Sequence, residues 1–255
     1  TFELHRVLRQ ESGSYILDVA SALRAQLTGG ARAWPGLACP RLRNVFAAVD
    51  HYLHAFEAGR PEDATFIARS NKRVNKLNGF VRSNLGFDAA PLAAGELVVL
   101  DQTWTDRRRT VLRGEAGIVQ SIDSGLQSFG GLHFLPATVR FSDDDGRPAP
   151  VQALVLLDTL QSERGLLERE QENSLFHEVM KRNPTFRESR HPADDPYVGA
   201  LRLRYGYALT CNKAQGGEWA DVLLDPWYPA GDWRWLYTAV TRASRDLYTW
   251  EQYRG

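Results

Sequence analysis

The chain has little cysteine: two residues in 255, Cys39 and Cys211, far apart and without a CxxC spacing. That excludes a disulfide framework and a cysteine-rich metal site, and leaves reduced core thiols in a cytoplasmic protein as the expectation. It also lacks an excess of either charge, since 31 basic residues balance 31 acidic ones. No global field draws such a chain to polyanions, so any nucleic-acid contact must come from a local patch. No stretch reaches the roughly eighteen apolar residues of a membrane span, and no leader pattern opens the chain, so no membrane partner is expected. Internal repeats and low-complexity segments are absent. There is no GxxxxGK loop followed by Ser or Thr, and no acidic pair closes an apolar strand as a magnesium-binding motif does. The nearest pair, Asp194-Asp195, lies in a Pro-rich stretch. The first residue is Thr1, not Met, which fits an excised segment.

What is present suits a substantial core: 43% of residues are hydrophobic and 24% charged, enough for one or two domains. Ile16, Val19, Ala20 and Leu23 recur at helical spacing, and Gly29-Gly30 ends the run. A Pro/Gly-rich link (Ala33 to Pro40) leads to an amphipathic helix over Leu42 to Glu57. On it His51 and His54 lack a third ligand and read as surface or packing residues. Thr65 to Ala68 reads as a buried strand feeding a helix that Ser70 or Asn71 can N-cap. Val74, Leu77, Val81 and Leu85 share one face of that helix, with Lys72, Arg73, Lys76 and Arg82 opposite. The pattern fits either a phosphate cradle or an ordinary αβ unit with a solvated basic face.

From Gly95 the period changes. Runs at 96–100, 117–122, 131–135, 138–141 and 151–156 are short and strand-like, separated by turn signals, and predict an inserted antiparallel β-barrel of SH3-like type. Asp143 to Gly146 reads as a hairpin turn, since Leu154 stands where a calcium loop needs Glu. A charged helix is expected over Leu160 to Lys181, and a loop-like crossing over Asn183 to Pro196. The αβ pattern resumes with a long strand, LRLRYGYALT, ending at Thr210. A turn and short helix (CNKAQGGEW), a strand at 222–224, a helix over Trp235 to Ser244 and a strand at 246–250 follow. Alternating strands and helices predict a parallel sheet with its ligands at the C-terminal strand ends, where Thr210 to Glu218 and the Ser70-Asn71 turn are expected. The fold class is therefore α/β: one parallel-sheet domain over 1–94 and 197–255, interrupted by a barrel subdomain over 95–196.

These segments resemble a family. TCNKAQGGEW (210–219) resembles motif V, and YTAVTRASRDLY (237–248) motif VI, of superfamily 1 helicases. FIARSNKRVNKLNGFVR (66–82) looks like the unit opening the second RecA-like domain of their RecD-like branch, FELHRVLRQESGSYILDVASALR (2–24) is similar to the segment after motif III, and the β-rich stretch lies where that branch inserts its SH3-like subdomain. The resemblance implies a C-terminal half: a second RecA-like domain (2A) with an inserted barrel (2B). Arg242, in VTRA, and Arg9, in VLRQ, match the arginines that reach the ATP γ-phosphate, a task suited to an always-charged planar donor. Gln215, Gly216 and Glu218 match residues of the nucleotide site and its coupling turn. Ser70, Asn71, Thr210, Asn212 and Lys213 match positions approaching the phosphates of single-stranded DNA. Asn212 stands where the branch commonly has His, and Gly217 where it commonly has Ser.

The implied partners are single-stranded DNA, ATP with Mg2+ held mainly by a missing N-terminal RecA-like domain, and nuclease or helicase subunits of an exonuclease V-like complex acting in recombination or repair. The implied movement is 5′ to 3′, and these 255 residues alone are expected to be inactive as an ATPase. A non-hydrolysing RecA-like module that binds nucleic acid or a partner is the other reading. Trp104, Phe129 and Trp227 are candidates for base stacking.

Overall fold

The computed structural model describes residues 15–29, 36–123, 125–143, 145–162 and 167–251. Its contacts divide the chain into two compact units, Thr1–Val81 with Tyr207–Gly255, and Arg82–Gly206.

The first unit begins with α1 (Tyr15–Leu27), which buries Ile16, Val19, Ala20 and Leu23 as its spacing predicts. Strand β1 (Arg41–Leu42) precedes α2 (Val45–Glu57), so the helix starts after, not at, Leu42. Asn44 caps it, its Oδ1 accepting the Ala47 N–H at 3.0 Å. All five residues of β2 (Ala64–Ala68) are buried, the pattern of a central parallel strand covered on both faces. In α3 (Asn71–Asn84), Ser70 Oγ accepts the Arg73 N–H, and Val74, Leu77 and Val81 point inward.

The second unit carries β3 (Leu97–Leu100), the hairpin β4 (Trp104–Thr105) and β5 (Thr110–Val111), β6 (Ala116–Ile122), β7 (Gln127–Phe129), β8 (Leu132–Ser142), β9 (Pro148–Leu156), α4 (Arg169–Arg182), α5 (Pro184–Ser189) and β10 (Leu203–Tyr205). Strands β10-β3-β6-β8-β7 lie side by side, with β9 also on β8, and every pairing is antiparallel. A bridge between Val155 and Leu201 ties β9 to the residues leading into β10. The two expected strands at 131–135 and 138–141 are one, β8. It pairs with β9 as a hairpin from Phe134↔Leu156 to Ser142↔Pro148, and Asp143 Oδ1 accepts the N–H groups of Asp145 and Arg147 in the turn. Leu132, Phe134 and Leu156 pack with Leu175, Val179 and Phe186 of the helices.

Arg82 is not on a solvated face. It lies 5% exposed beside the fully buried Glu96, Nε to Oε1 2.6 Å, with its Nη2 on the carbonyls of Phe87 and Ala90. The stretch 183–196 is not a loop either. Asn183 Oδ1 caps α5 at the Phe186 N–H, and a second short turn of helix spans Pro192–Asp194. Both begin at proline, which is preorganised for a first helical position.

The chain returns to the first unit with β11 (Ala208–Thr210), β12 (Trp219–Leu224), α6 (Trp233–Val240) and β13 (Ala243–Trp250). The expected long strand ending at Thr210 is thus two strands in two sheets. Gly206 separates them: its N–H donates to the Leu97 carbonyl, and a Cβ there would stand 2.8 Å from Leu97 Cγ. The parallel sheet has the order β1-β13-β12-β2-β11, every pairing parallel. Among the described residues, no helix is long and apolar enough to cross a membrane.

Candidate nucleotide and nucleic-acid site

The register of the parallel sheet places the candidate residues. Thr210 pairs with Ala68, the last residue of β2, while Asp221 pairs with Ala64, its first. Residues 211–218 therefore run back from the C-terminal end of the sheet toward its N-terminal end, roughly 13 Å at about 3.3 Å per strand residue. They form turns, not the expected short helix. The Thr210 carbonyl accepts the N–H groups of Lys213 and Ala214, and the Ala214 carbonyl accepts that of Gly217. Ala214 is fully buried and pins the segment, leaving Asn212, Gln215, Gly216 and Glu218 exposed and Lys213 half-buried. Gly216 has φ +90°, a conformation that favours glycine.

Two groups of residues result. Thr210 and the Ser70-Asn71 turn share the C-terminal end of adjoining strands. Glu218 stands at the opposite end with Arg242, contrary to the expectation that Thr210 to Glu218 lie together. Arg242 itself is not helical: α6 stops at Val240, and the Arg242 carbonyl accepts the Trp219 N–H where β12 and β13 begin. Its guanidinium is part-buried and donates to the carbonyls of Gly217 (3.1 Å) and Thr238 (3.1 Å) and to Thr241 Oγ1 (3.2 Å). All three acceptors are uncharged, and among the described residues no carboxylate forms an ion pair with it. Arg9 lies outside the described residues. Gly217 is explained locally, since a Cβ there would stand 2.3 Å from the Trp219 ring.

Three features near these groups were not legible from the sequence. Asp225, fully buried just past β12, takes Arg73 Nε and Nη2 at 2.8 and 2.6 Å. Burial pushes its carboxyl above the ordinary value although Arg73 opposes this. Arg73 therefore belongs to an ion pair and not to a solvated face. Arg69 pairs with Asp232, the α6 cap. Asp221 is flanked by His51 (3.2 Å) and Arg245 (2.8 Å), and the His51 ring packs on Tyr248. Burial of Asp221 favours the neutral acid, but His51 and Arg245 outweigh it and leave the carboxyl below its usual range. The acids at 221 and 225 bound an apolar strand, which is the signal that could have marked them. Among the described residues, no group of three or more metal-ligating side chains converges.

Residues 205–249 match the UvrD-like helicase C-terminal domain. That span holds the return loop, β12, α6 and Arg242. Over 98% of its length the chain is similar in structure to the Pif1 helicase from Candida albicans, with 15% identity and a TM-score of 0.53 over 56% of that protein. It also aligns with a structure described as the basis for DNA unwinding at forked dsDNA by two coordinating Pif1 helicases (13% identity, 96% of this chain and 48% of that one, TM-score 0.48). A third alignment is with Pif1 helicase from Bacteroides in complex with ADP-AlF3 and ssDNA (12% identity, 97% and 51%, TM-score 0.46). The first of these establishes a shared α/β fold. The chain spans about half the length of the structures it matches. No curated protein sequence matches it.

Proposed function

We propose that the chain is the C-terminal motor half of an ATP-dependent superfamily 1 DNA helicase, of the RecD-like branch and moving 5′ to 3′. The observation that carries this reading is Arg242, a guanidinium without an ion-pair partner among the described residues, held by the carbonyl of the loop whose other end reaches the Ser70–Thr210 group. An always-charged planar donor in that position suits the charge that develops on a transferred phosphoryl group. Arg242 and Arg9 act as γ-phosphate sensors, with Gln215, Gly216 and Glu218 around the nucleotide. Ser70, Asn71, Thr210, Asn212 and Lys213 hold the phosphates of single-stranded DNA. ATP and Mg2+, which supply the phosphoryl group and its charge neutralisation, are held mainly by a P-loop domain outside these residues. The return loop then couples the two ends of the sheet. The stretch 95–196, which lies within the Arg82–Gly206 unit, is read as the SH3-like insertion, supported by the antiparallel pairing of its strands and by the parallel bridge from β9 toward β10.

The test is hydrolysis and unwinding by the full-length protein that carries this segment. Single-stranded DNA should stimulate its ATP turnover, and duplexes with 5′ tails should be unwound in preference to 3′-tailed ones. The 255 residues alone should give neither. A full-length protein that binds single-stranded DNA without turnover contradicts the motor reading and supports a binding module.

A further inference from the structure

Trp227 is half exposed, the one tryptophan among the described residues that is so open. Its position is built. The fully buried Asp225 carboxylate accepts the Trp227 backbone N–H and two N–H groups of Arg73, and the Arg73 guanidinium lies 5.6 Å from the centroid of the indole. One buried anion thus fixes both a flat cation and the ring beside it. The ring stands just past the C-terminal end of β12. The neighbouring strand, β2, ends in the Ser70-Asn71 turn, and the Asp225 N–H still bonds to the Ile67 carbonyl of that strand. Lys72 and Lys76 on the exposed side of α3 add positive charge along the same rim.

We propose that Trp227 is a base-stacking platform for the single-stranded nucleic acid whose phosphates the Ser70–Thr210 rim holds. The proposal rests on the single-stranded DNA reading above and adds to it a contact to bases. An indole presents a π face that any base can cover, and an adjacent guanidinium adds a cationic plane, so the contact is strong and indifferent to sequence. Phosphate contacts alone leave the bases free. A stacked base also fixes where along the strand each step begins and ends.

The experiment compares two oligonucleotides on the full-length protein: a dT strand and a strand of the same length with abasic sites throughout. Trp227→Ala should weaken the dT strand about 5- to 150-fold, the range of one lost base–aromatic stack, and leave the abasic strand unchanged. Trp227→Phe should recover most of the dT affinity. Equal dT affinity for wild type and Trp227→Ala overturns the proposal. So does an equal loss on both strands, or unchanged dT binding with lowered ATP turnover, which assigns the ring to a protein interface. Failure of the wild type to bind either strand instead removes the underlying DNA reading.

Discussion

Arg242 donates from Nη1 to the carbonyl of Gly217 at 3.1 Å, and this bond joins the turn after α6 to the end of the return loop. The loop is shaped by Gly216 at φ +90° and by Gly217 under the Trp219 ring. Gly216→Ala should cost about 1–2 kcal/mol, since an L side chain there is strained. Gly217→Ser should push the indole aside. In thermal melts of the full-length protein, Gly216→Ala should lower the melting point of this domain by a few degrees and reduce ATP turnover more than single-stranded DNA affinity.

The Arg82–Glu96 pair is the most enclosed ion pair described, with side chains 6% and 0% exposed. Glu96 also accepts the Ala93 N–H. Removing one partner leaves a charge without compensation, so Glu96→Ala should destabilise the protein by about 3–5 kcal/mol. Urea melts check this, and a loss below about 1 kcal/mol contradicts the buried pairing.

Acid should weaken the first unit through Asp221. Its folded pKa is lowered by His51 and Arg245 despite burial, so the folded state binds fewer protons than the unfolded chain, where the value is about 3.9. The stabilisation is fully present above that pH and is lost as pH falls through the folded pKa. The stability gap between wild type and Asp221→Asn in urea melts should therefore narrow from about pH 5 to about pH 3. A gap that widens on acidification contradicts the linkage.

Cys211 should be chemically quiet. Burial pushes its thiol up to about 11, outweighing the opposing charges of Arg242 and Arg69, and the thiolate is the reactive form. Alkylation by iodoacetamide at pH 7.5 should leave Cys211 unmodified in the native protein and modify it in denaturant, as read by mass spectrometry of the peptides.

The position of the candidate residues at strand ends was legible because polar residues interrupt apolar strands: Thr210 to Glu218 between two buried runs, and Ser70-Asn71 after β2. What failed was continuity and partnership. LRLRYGYALT reads as one strand because nothing local in its side chains marks Gly206 as the point where backbone meets Leu97. TRAS continues the apparent helix, yet the Arg242 carbonyl is taken by Trp219, a partner far away in sequence. Arg73 and Arg82 look like a wet helix face since Asp225 and Glu96 lie outside any helical spacing. Pro184 and Pro192 read as breakers but stand at helix starts, where the missing N–H costs nothing.

Arg242 is the residue whose loss tests the motor reading most directly. ATP turnover and single-stranded DNA affinity should be measured side by side on the full-length protein and its Arg242→Ala variant. Turnover should fall by about 10³- to 10⁵-fold, the scale of a lost arginine finger, while affinity for a dT strand stays within about twofold. Unchanged turnover in the variant would contradict the account.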